Sequence, residues 1–218
     1  MIETILFDLD GTISDSARGI TRCVQYALSK FGIEVKDLSE LVCFVGPPPP
    51  HMFKEKYGFS DEQALLGLEY FRERYRTKGI NENEIYPGVI NMLEKLKRAG
   101  KVTALATSKP RVFAEHICER YGIAKYLDFI SGSELDNSRM EKSDVIEHVL
   151  VQLGITDAQK DGTVMVGDRM YDIIGAHQCG IKCVGVTYGY AEDGELREYG
   201  ADHICSSVSS LTEYLLSN

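Results

Sequence analysis

A chain of 218 residues with 44% hydrophobic content is long enough for one well-buried core, or for one domain that carries a sizeable insertion. Its formal net charge of -9 removes the basic footprint that unaided binding to nucleic acid or an anionic membrane needs, although a local site for a small phosphorylated molecule stays compatible with an acidic whole. No run approaches the roughly 18 apolar residues of a membrane span, no signal-peptide pattern opens the chain, and the six cysteines form no CxxC pair; the expectation is a cytoplasmic protein with reduced cysteines.

The apolar run Ile5-Leu6-Phe7 predicts a buried strand ending on Asp8-Leu9-Asp10-Gly11-Thr12. Asp15 or Ser16 can then cap a helix whose positions Ile20, Val24, Ala27, Leu28 and Phe31 keep helical spacing up to Gly32. From Val35 to Asn83 the pattern stays helical, through Leu38, Leu41 and Val42, then Met52, Phe53 and Tyr57, then Ala64, Leu68, Phe71 and Tyr75. A parallel βαβ crossover needs only one helix, so this stretch implies an inserted helical cap over 17–83, with 1–16 and 84–218 forming the core.

Regular alternation resumes at Pro87-Gly88, which open a helix that stops near Gly100. A strand Lys101 to Thr107 is followed by a helix Pro110 to Tyr121, a short strand near Phe129-Ile130, and a helix from about Glu141 to Leu153. Then come a strand Thr163 to Val166, a helix from about Tyr171 to Cys179, and a strand Lys182 to Val186. A helix near Glu195 to Tyr199, a strand Asp202 to Cys205 and a last helix near Leu211 to Leu216 complete the pattern. Strands alternating with helices predict an α/β fold, a Rossmann-like, mostly parallel sheet covered on both faces.

Two acidic clusters then follow apolar strands: Asp8 to Thr12, and Gly167 to Asp172 after Val164-Met165-Val166. The carboxyl ends of parallel strands share one rim, so these carboxylates converge there. At about 4 Å two like charges repel by roughly 1 kcal/mol in water and about 4 kcal/mol near a protein surface, a penalty that a hard divalent cation, Mg²⁺ above all, would offset. Asp8 is placed as a carboxylate nucleophile toward phosphorus, and Asp10 as the acid and base on the other side of the scissile bond. Gly11 and Thr12, with Thr107 and Ser108 at another strand end, offer phosphate contacts, and Lys142 offers positive charge. Asp168 and Asp172 would complete the metal site. Taken singly, Thr107 reads as a strand-end turn former, Lys142 as a solvated helix lysine, and Asp172 as a residue favouring a helix dipole.

Taken in order, Asp8 to Thr12, Thr107, Lys142 and Gly167 to Asp172 resemble the four motifs of the haloacid dehalogenase (HAD) superfamily of phosphotransferases, over nearly the whole chain. The resemblance implies Mg²⁺ bound by Asp8, the Asp10 carbonyl and Asp168, with Asp172 close by, and a cap that closes over the site. Asp10 argues for a phosphatase or phosphomutase, since dehalogenases and phosphonatases of the superfamily lack it. Gly46-Pro47-Pro48, Tyr86-Pro87-Gly88, Ala106 to Pro110, Met165 to Asp168 and Gly189-Tyr190 resemble the phosphoglycolate phosphatase and 5′-nucleotidase-like group. Its relatives usually have Gly-Pro-Pro-Leu where this chain has Pro47 to Pro50 followed by His51, a run read as a stiff, extended approach to the next helix. His51, Phe53, Lys54 and Arg18 are the candidates for substrate contact.

The expected function is a Mg²⁺-dependent phosphomonoesterase acting on phosphoglycolate or a nucleoside 5′-monophosphate through a phospho-Asp8 intermediate. The alternatives are a phosphomutase of the β-phosphoglucomutase type and a non-catalytic regulatory protein on the same fold. The expected partner is a small phosphorylated substrate, with no nucleic acid and no membrane, for a monomer or homodimer.

Overall fold

The computed structural model describes residues 1–136 and 138–218. In chain order the elements are β1 (Thr4–Phe7), β2 (Ser14–Asp15), α1 (Ala17–Lys30), α2 (Pro49–Tyr57), α3 (Asp61–Thr77), β3 (Glu84–Ile85), α4 (Val89–Arg98), β4 (Val102–Pro110) and α5 (Arg111–Arg120). They continue with β5 (Phe129–Ser133), α6 (Lys142–Gln152), β6 (Thr163–Gly167), α7 (Met170–Gln178), β7 (Lys182–Val186), α8 (Glu195–Glu198), β8 (His203–Cys205) and α9 (Val208–Ser217). The chain divides into two compact units, one of Met1–Ser14 with Ile85–Asn218 and one of Asp15–Glu84.

The first unit is built on a six-stranded sheet in the order β5-β4-β1-β6-β7-β8. Each neighbouring pair is parallel, so the α/β class read from the alternation of elements holds. Strand β1 is central and lies between two strands, which is why Ile5, Leu6 and Phe7 are all apolar and fully buried with no polar alternation. On one face, Leu6, Ala104, Ala106, Met165 and Cys183 pack with Val145, Ile146 and Val149 of α6 and Ile173 and Ala176 of α7. The alternate residues Ile5, Phe7 and Leu105 are equally buried, as the pleat requires of a sheet covered on both faces.

Register places the site. Phe7 stands level with Leu105 of β4 and Val166 of β6, so Asp8, Ala106 and Gly167 follow side by side. The Asp8 amide donates to the Val166 carbonyl at 2.9 Å, which extends the ladder one residue past the strand.

Several boundaries differ from the sequence pattern. Strand β4 reaches Pro110 rather than Thr107, because its pairing with β5 shifts register between Thr107 and Pro110. Helix α9 starts three residues before Leu211, where the Ser207 hydroxyl accepts from the Ser210 amide at 3.1 Å. The two-residue strands β2 and β3 pair as a small ribbon that the pattern gave no sign of.

The second unit is helical. Its segment Leu38–Phe44 winds as a 3₁₀ helix, where amphipathic spacing alone did not distinguish the two helix types. Pro49 and Pro50 occupy the first turn of α2, where a missing amide donor costs nothing, so only Pro47 and Pro48 remain as an extended approach. Phe53 stacks on Phe59 with ring centroids 5.6 Å apart and meets Phe44 at 5.1 Å. Helix α3 opens on a capping box between Ser60 and Gln63. Glu82 accepts from Arg22 and Arg74 at 2.8 Å each, tying the end of the unit to α1 and α3.

Candidate active site

Asp8, Asp168 and Asp172 each offer a carboxylate oxygen within 4.8 Å of the other two, and all three residues are buried. Asp8 ends the central strand, Asp168 ends its neighbour β6, and Asp172 stands one turn into α7. Asp172 also fulfils its plainer role, since its Oδ2 accepts from the Arg169 amide at 3.1 Å and caps the helix. Its Oδ1 is left to face Lys142.

Lys142 is the first residue of α6, yet its side chain is only 5% exposed. Its Nζ lies 2.7 Å from Asp8 Oδ1 and 2.8 Å from Asp172 Oδ1, and it donates to the Ala106 carbonyl at 3.1 Å. The reading of a solvated helix lysine is thereby set aside by position. A cation at a helix N-terminus opposes the dipole, so the sequence breaks a local rule at the place where the charge is used.

Burial dominates the electrostatics. It lifts the Asp8 carboxyl to about 6, against the pull of Lys142 and helped by the Asp172 and Asp10 charges. Burial likewise pushes Asp168 well above the ordinary carboxylate range, with Asp172 and Asp8 adding to it. For Lys142 burial acts downward, but Asp172 and Asp8 outweigh it and hold the ammonium above its usual value. Carboxylates raised by crowding in a dry site are what a hard divalent cation relieves, and an all-oxygen donor set suits Mg²⁺ better than a softer metal. The residues present therefore fit such an ion.

Backbone and hydroxyl groups hold Asp168 in place. The Tyr190 amide donates to its Oδ2 at 2.7 Å, and the Thr12 hydroxyl approaches Oδ1 at 3.4 Å. Gly11 has φ +85, and a Cβ there would sit 2.1 Å from Asp168 Oδ2, so glycine is required both by conformation and by space. Thr107 is buried, and its Oγ1 accepts from the Lys109 amide at 3.2 Å. The Ser108 carbonyl accepts from the Ser133 hydroxyl at 2.7 Å.

The Asp10 carboxylate is not part of the three-carboxylate cluster. It pairs instead with Lys109, whose Nζ lies 2.7 Å from Asp10 Oδ2. Lys109 lies inside the stretch Ala106 to Pro110, where no motif marks it out, and its place two residues beyond Thr107 in the strand is the available signal. Two other contributors had no motif to reveal them. Glu195 accepts from Arg169 Nε at 2.9 Å and from the Met170 amide at 2.7 Å, and Tyr188 donates to the Thr12 carbonyl at 3.1 Å.

The remaining candidates belong to the helical unit. Arg18 and His51 are exposed, and Lys54 pairs with Asp61 at 3.1 Å. Arg18 lines a cleft with Asp15, Asn81 and Asn83. Phe53 is a correction: its ring has no exposed surface and is consumed by the aromatic packing of this unit, so it is a core residue and not a substrate contact.

A buried carboxylate triad with a lysine at the C-terminal rim of a parallel sheet defines a phosphoryl-transfer type of α/β enzyme. The model of the haloacid dehalogenase-like hydrolase family matches residues 5–186, and the chain belongs to that family. It is an enzyme of the family's phosphatase kind. A 5′-nucleotidase of Pseudomonas aeruginosa is 40% identical over 98% of this chain and 96% of its own length. The tyrosine-protein kinase PtkA of Mycobacterium tuberculosis is 36% identical over 86% of this chain, which matches 63% of that longer protein. A phosphoglycolate phosphatase of Agrobacterium fabrum is 27% identical over 96% of the chain and 91% of its own length. The crystal structure of a protein from Clostridium acetobutylicum, described as a predicted phosphatase, superimposes with a TM-score of 0.96 at 43% identity over 100% of both chains.

Proposed function

We propose that the protein is a Mg²⁺-dependent phosphomonoesterase that hydrolyses a small phosphorylated metabolite, a nucleoside 5′-monophosphate or phosphoglycolate, through an aspartyl-phosphate on Asp8. The observation that carries this is the buried cluster of Asp8, Asp168 and Asp172 with Lys142 between two of its members. The relative 40% identical over 98% of the chain makes nucleoside monophosphates the first class to test.

An Asp8 oxygen attacks phosphorus while the bond to the leaving oxygen breaks, and the Asp10 carboxyl gives that oxygen its proton. Asp10 then takes a proton from water, whose oxygen attacks the phospho-Asp8 phosphorus and frees phosphate and the carboxylate. Lys142 keeps positive charge beside Asp8 throughout, and Thr107, Ser108, Gly11 and Thr12 supply hydroxyl and amide donors for the phosphoryl oxygens. Asp8, the Asp10 carbonyl and Asp168, with Asp172 close by, would hold Mg²⁺, which would supply neutralising charge for the phosphoryl group. Substrate choice is assigned to the helical segment 17–83, with Arg18, His51 and Lys54 as its candidate residues. The enzyme works in the cytoplasm, as a monomer or homodimer, on a diffusible substrate.

The test is phosphate release from 5′-nucleotides, phosphoglycolate, hexose phosphates and p-nitrophenyl phosphate, with Mg²⁺ or EDTA, for the native chain and Asp8→Asn. Release that needs both Mg²⁺ and Asp8 supports the proposal. An isomeric sugar phosphate without free phosphate would make the enzyme a mutase, and no turnover of any compound would leave a regulatory role.

A further inference from the structure

The geometry points to Lys109 as a positioning residue that sets which oxygen of Asp10 faces the reaction, an inference that rests on the acid–base role proposed above for Asp10. Lys109 Nζ lies 2.7 Å from Asp10 Oδ2, and the two side chains are 6% and 8% exposed. The other oxygen, Asp10 Oδ1, is buried and has no hydrogen-bond partner among the described residues. One oxygen is thus held and the other left unpaired. A carboxyl group rotates freely about its last bond unless one oxygen is anchored, so the anchored Oδ2 leaves Oδ1 to hand a proton to the leaving oxygen and later to take one from water.

Such a buried ion pair is a weak source of stability, because desolvating both charges offsets much of their attraction. Its placement is nevertheless heavily specified. Between β4 and β5, Thr107 pairs with Gly132 and Pro110 with the next residue, Ser133, so Ser108 and Lys109 are extra residues that bulge from the ladder. Two hydrogen bonds and one glycine fix that bulge. The Lys109 amide donates to Thr107 Oγ1 at 3.2 Å, the Ser133 hydroxyl donates to the Ser108 carbonyl at 2.7 Å, and position 132 has no Cβ. A Cβ on Gly132 would lie 2.3 Å from the Lys109 carbonyl oxygen and 2.9 Å from the Arg111 amide nitrogen. Strand β5 carries none of the acidic motifs, yet its Gly132 and Ser133 shape the loop that brings Lys109 to Asp10. Local backbone devices of this kind next to a reacting group indicate positioning rather than packing.

The role has a signature that simple loss of structure lacks. The proton from Asp10 matters most when the leaving group is a poor one, an alkoxide, and least for p-nitrophenolate, which departs without it. The experiment measures kcat/KM for phosphate monoesters of graded leaving-group pKa, from p-nitrophenyl to a simple alkyl phosphate, in Mg²⁺, for the native chain, Lys109→Met, Lys109→Arg, Ser133→Ala and Asp10→Asn. The expected result is that Lys109→Met lowers kcat/KM for the alkyl ester on the order of 10- to 100-fold but for p-nitrophenyl phosphate less than about threefold, a part of the roughly 10²–10⁴-fold that general acid catalysis contributes. Asp10→Asn shows the same selectivity more strongly, Lys109→Arg restores most of the alkyl activity, and Ser133→Ala gives the selective loss in milder form. Ser133→Ala leaves every charge in place, so it reports the effect even where Lys109→Met folds poorly. An equal loss on all esters, or an unchanged alkyl rate in Lys109→Met, overturns the inference while the phosphatase reading stands. So does weakened inhibition by inorganic phosphate without leaving-group selectivity, since Lys109 would then bind phosphoryl oxygens. A native chain that releases phosphate from none of the esters overturns the phosphatase reading, and the inference falls with it.

Discussion

Lys142 Nζ stands 2.7 Å from Asp8 Oδ1 although the two residues belong to different elements and are separated by most of the chain. The pairing joins the end of the central strand to the start of α6, where the same ammonium also meets Asp172. In Lys142→Met the buried carboxylates of Asp8 and Asp172 lose their shared counter-charge. Breaking a buried pair at one partner typically costs about 3–5 kcal/mol. The expected outcome is a lower urea midpoint in EDTA, partly restored by Mg²⁺, and a phosphatase rate reduced by roughly 10²–10³-fold, the usual effect of removing one preorganised charge-stabilising group. A midpoint in EDTA equal to that of the native protein would show that Lys142 does not offset the cluster.

The cation-free protein is expected to gain stability from Asp8 as the pH is lowered. Burial raises this carboxyl from 3.8 to about 6 in the folded chain. Between those values the folded state binds more protons than the unfolded one, so the contribution is complete below about 3.8 and is lost as pH rises through about 6. Asp168, raised in the same direction, adds to the effect. Carboxylates such as Glu82 and Asp202, which are lowered, act oppositely at more acid pH, and His148, lowered by burial, opposes the effect within the same window, so the Asp8 share is the difference between the native chain and Asp8→Asn. Unfolding free energies in EDTA at pH 7 and pH 5 should therefore rise toward pH 5, with Asp8 contributing on the order of 2–3 kcal/mol across its whole window. Asp8→Asn should flatten the slope and be the more stable protein at pH 7; an unaltered slope would contradict the assignment.

Mg²⁺, if it binds the folded carboxylate cluster as proposed and not the unfolded chain, is expected to raise the melting temperature by mass action. At a hundred times its Kd the gain is about 2.7 kcal/mol. Asp168→Asn alters a buried carboxylate held by the Tyr190 amide and proposed as a ligand, and should abolish the shift. Gly11→Ala should do the same, because the added Cβ would displace the Asp168 carboxylate. Differential scanning fluorimetry with and without Mg²⁺ measures all three chains, and a full shift in Asp168→Asn would remove that residue from the metal site.

The sheet was legible because its central strands β1 and β6 are mainly apolar runs and the helices between strands carry an apolar face, and because parallel order brings strand ends to one rim whatever their distance in sequence. Asp8 and Asp168 could be placed together on those grounds, and the ordered motif set added Lys142 and Asp172 at helix starts beside them. Lys109 and Glu195 could not, since a lysine in a bulge and a glutamate starting a one-turn helix look like surface residues until register and loop course are known. Phe53 was misread for the complementary reason. Its neighbours in sequence, His51 and Lys54, are exposed, while α-helical periodicity turns Phe53 inward onto Phe44 and Phe59.

Glu195 offers the last test, because it is far from the motifs in sequence and yet holds one of them. Its oxygens accept from Arg169 Nε at 2.9 Å, from the Met170 amide at 2.7 Å and from the Glu192 amide at 3.0 Å, with both side chains of the ion pair under a tenth exposed. It therefore caps the start of α7 and anchors the residue between Asp168 and the helix. Glu195→Ala leaves the Arg169 guanidinium buried without its carboxylate and the Met170 amide at the helix start without its acceptor, for a combined destabilisation of roughly 3–5 kcal/mol. Glu195→Gln keeps an acceptor for the amides and should lose less. Because the loop bearing Asp168 and Asp172 loosens, the Mg²⁺ concentration for half-maximal phosphatase activity should rise about tenfold or more in Glu195→Ala, in line with the effect of removing groups that orient metal ligands. A variant destabilised to this extent but with an unchanged Mg²⁺ requirement would show that Glu195 supports α7 without influencing the carboxylates.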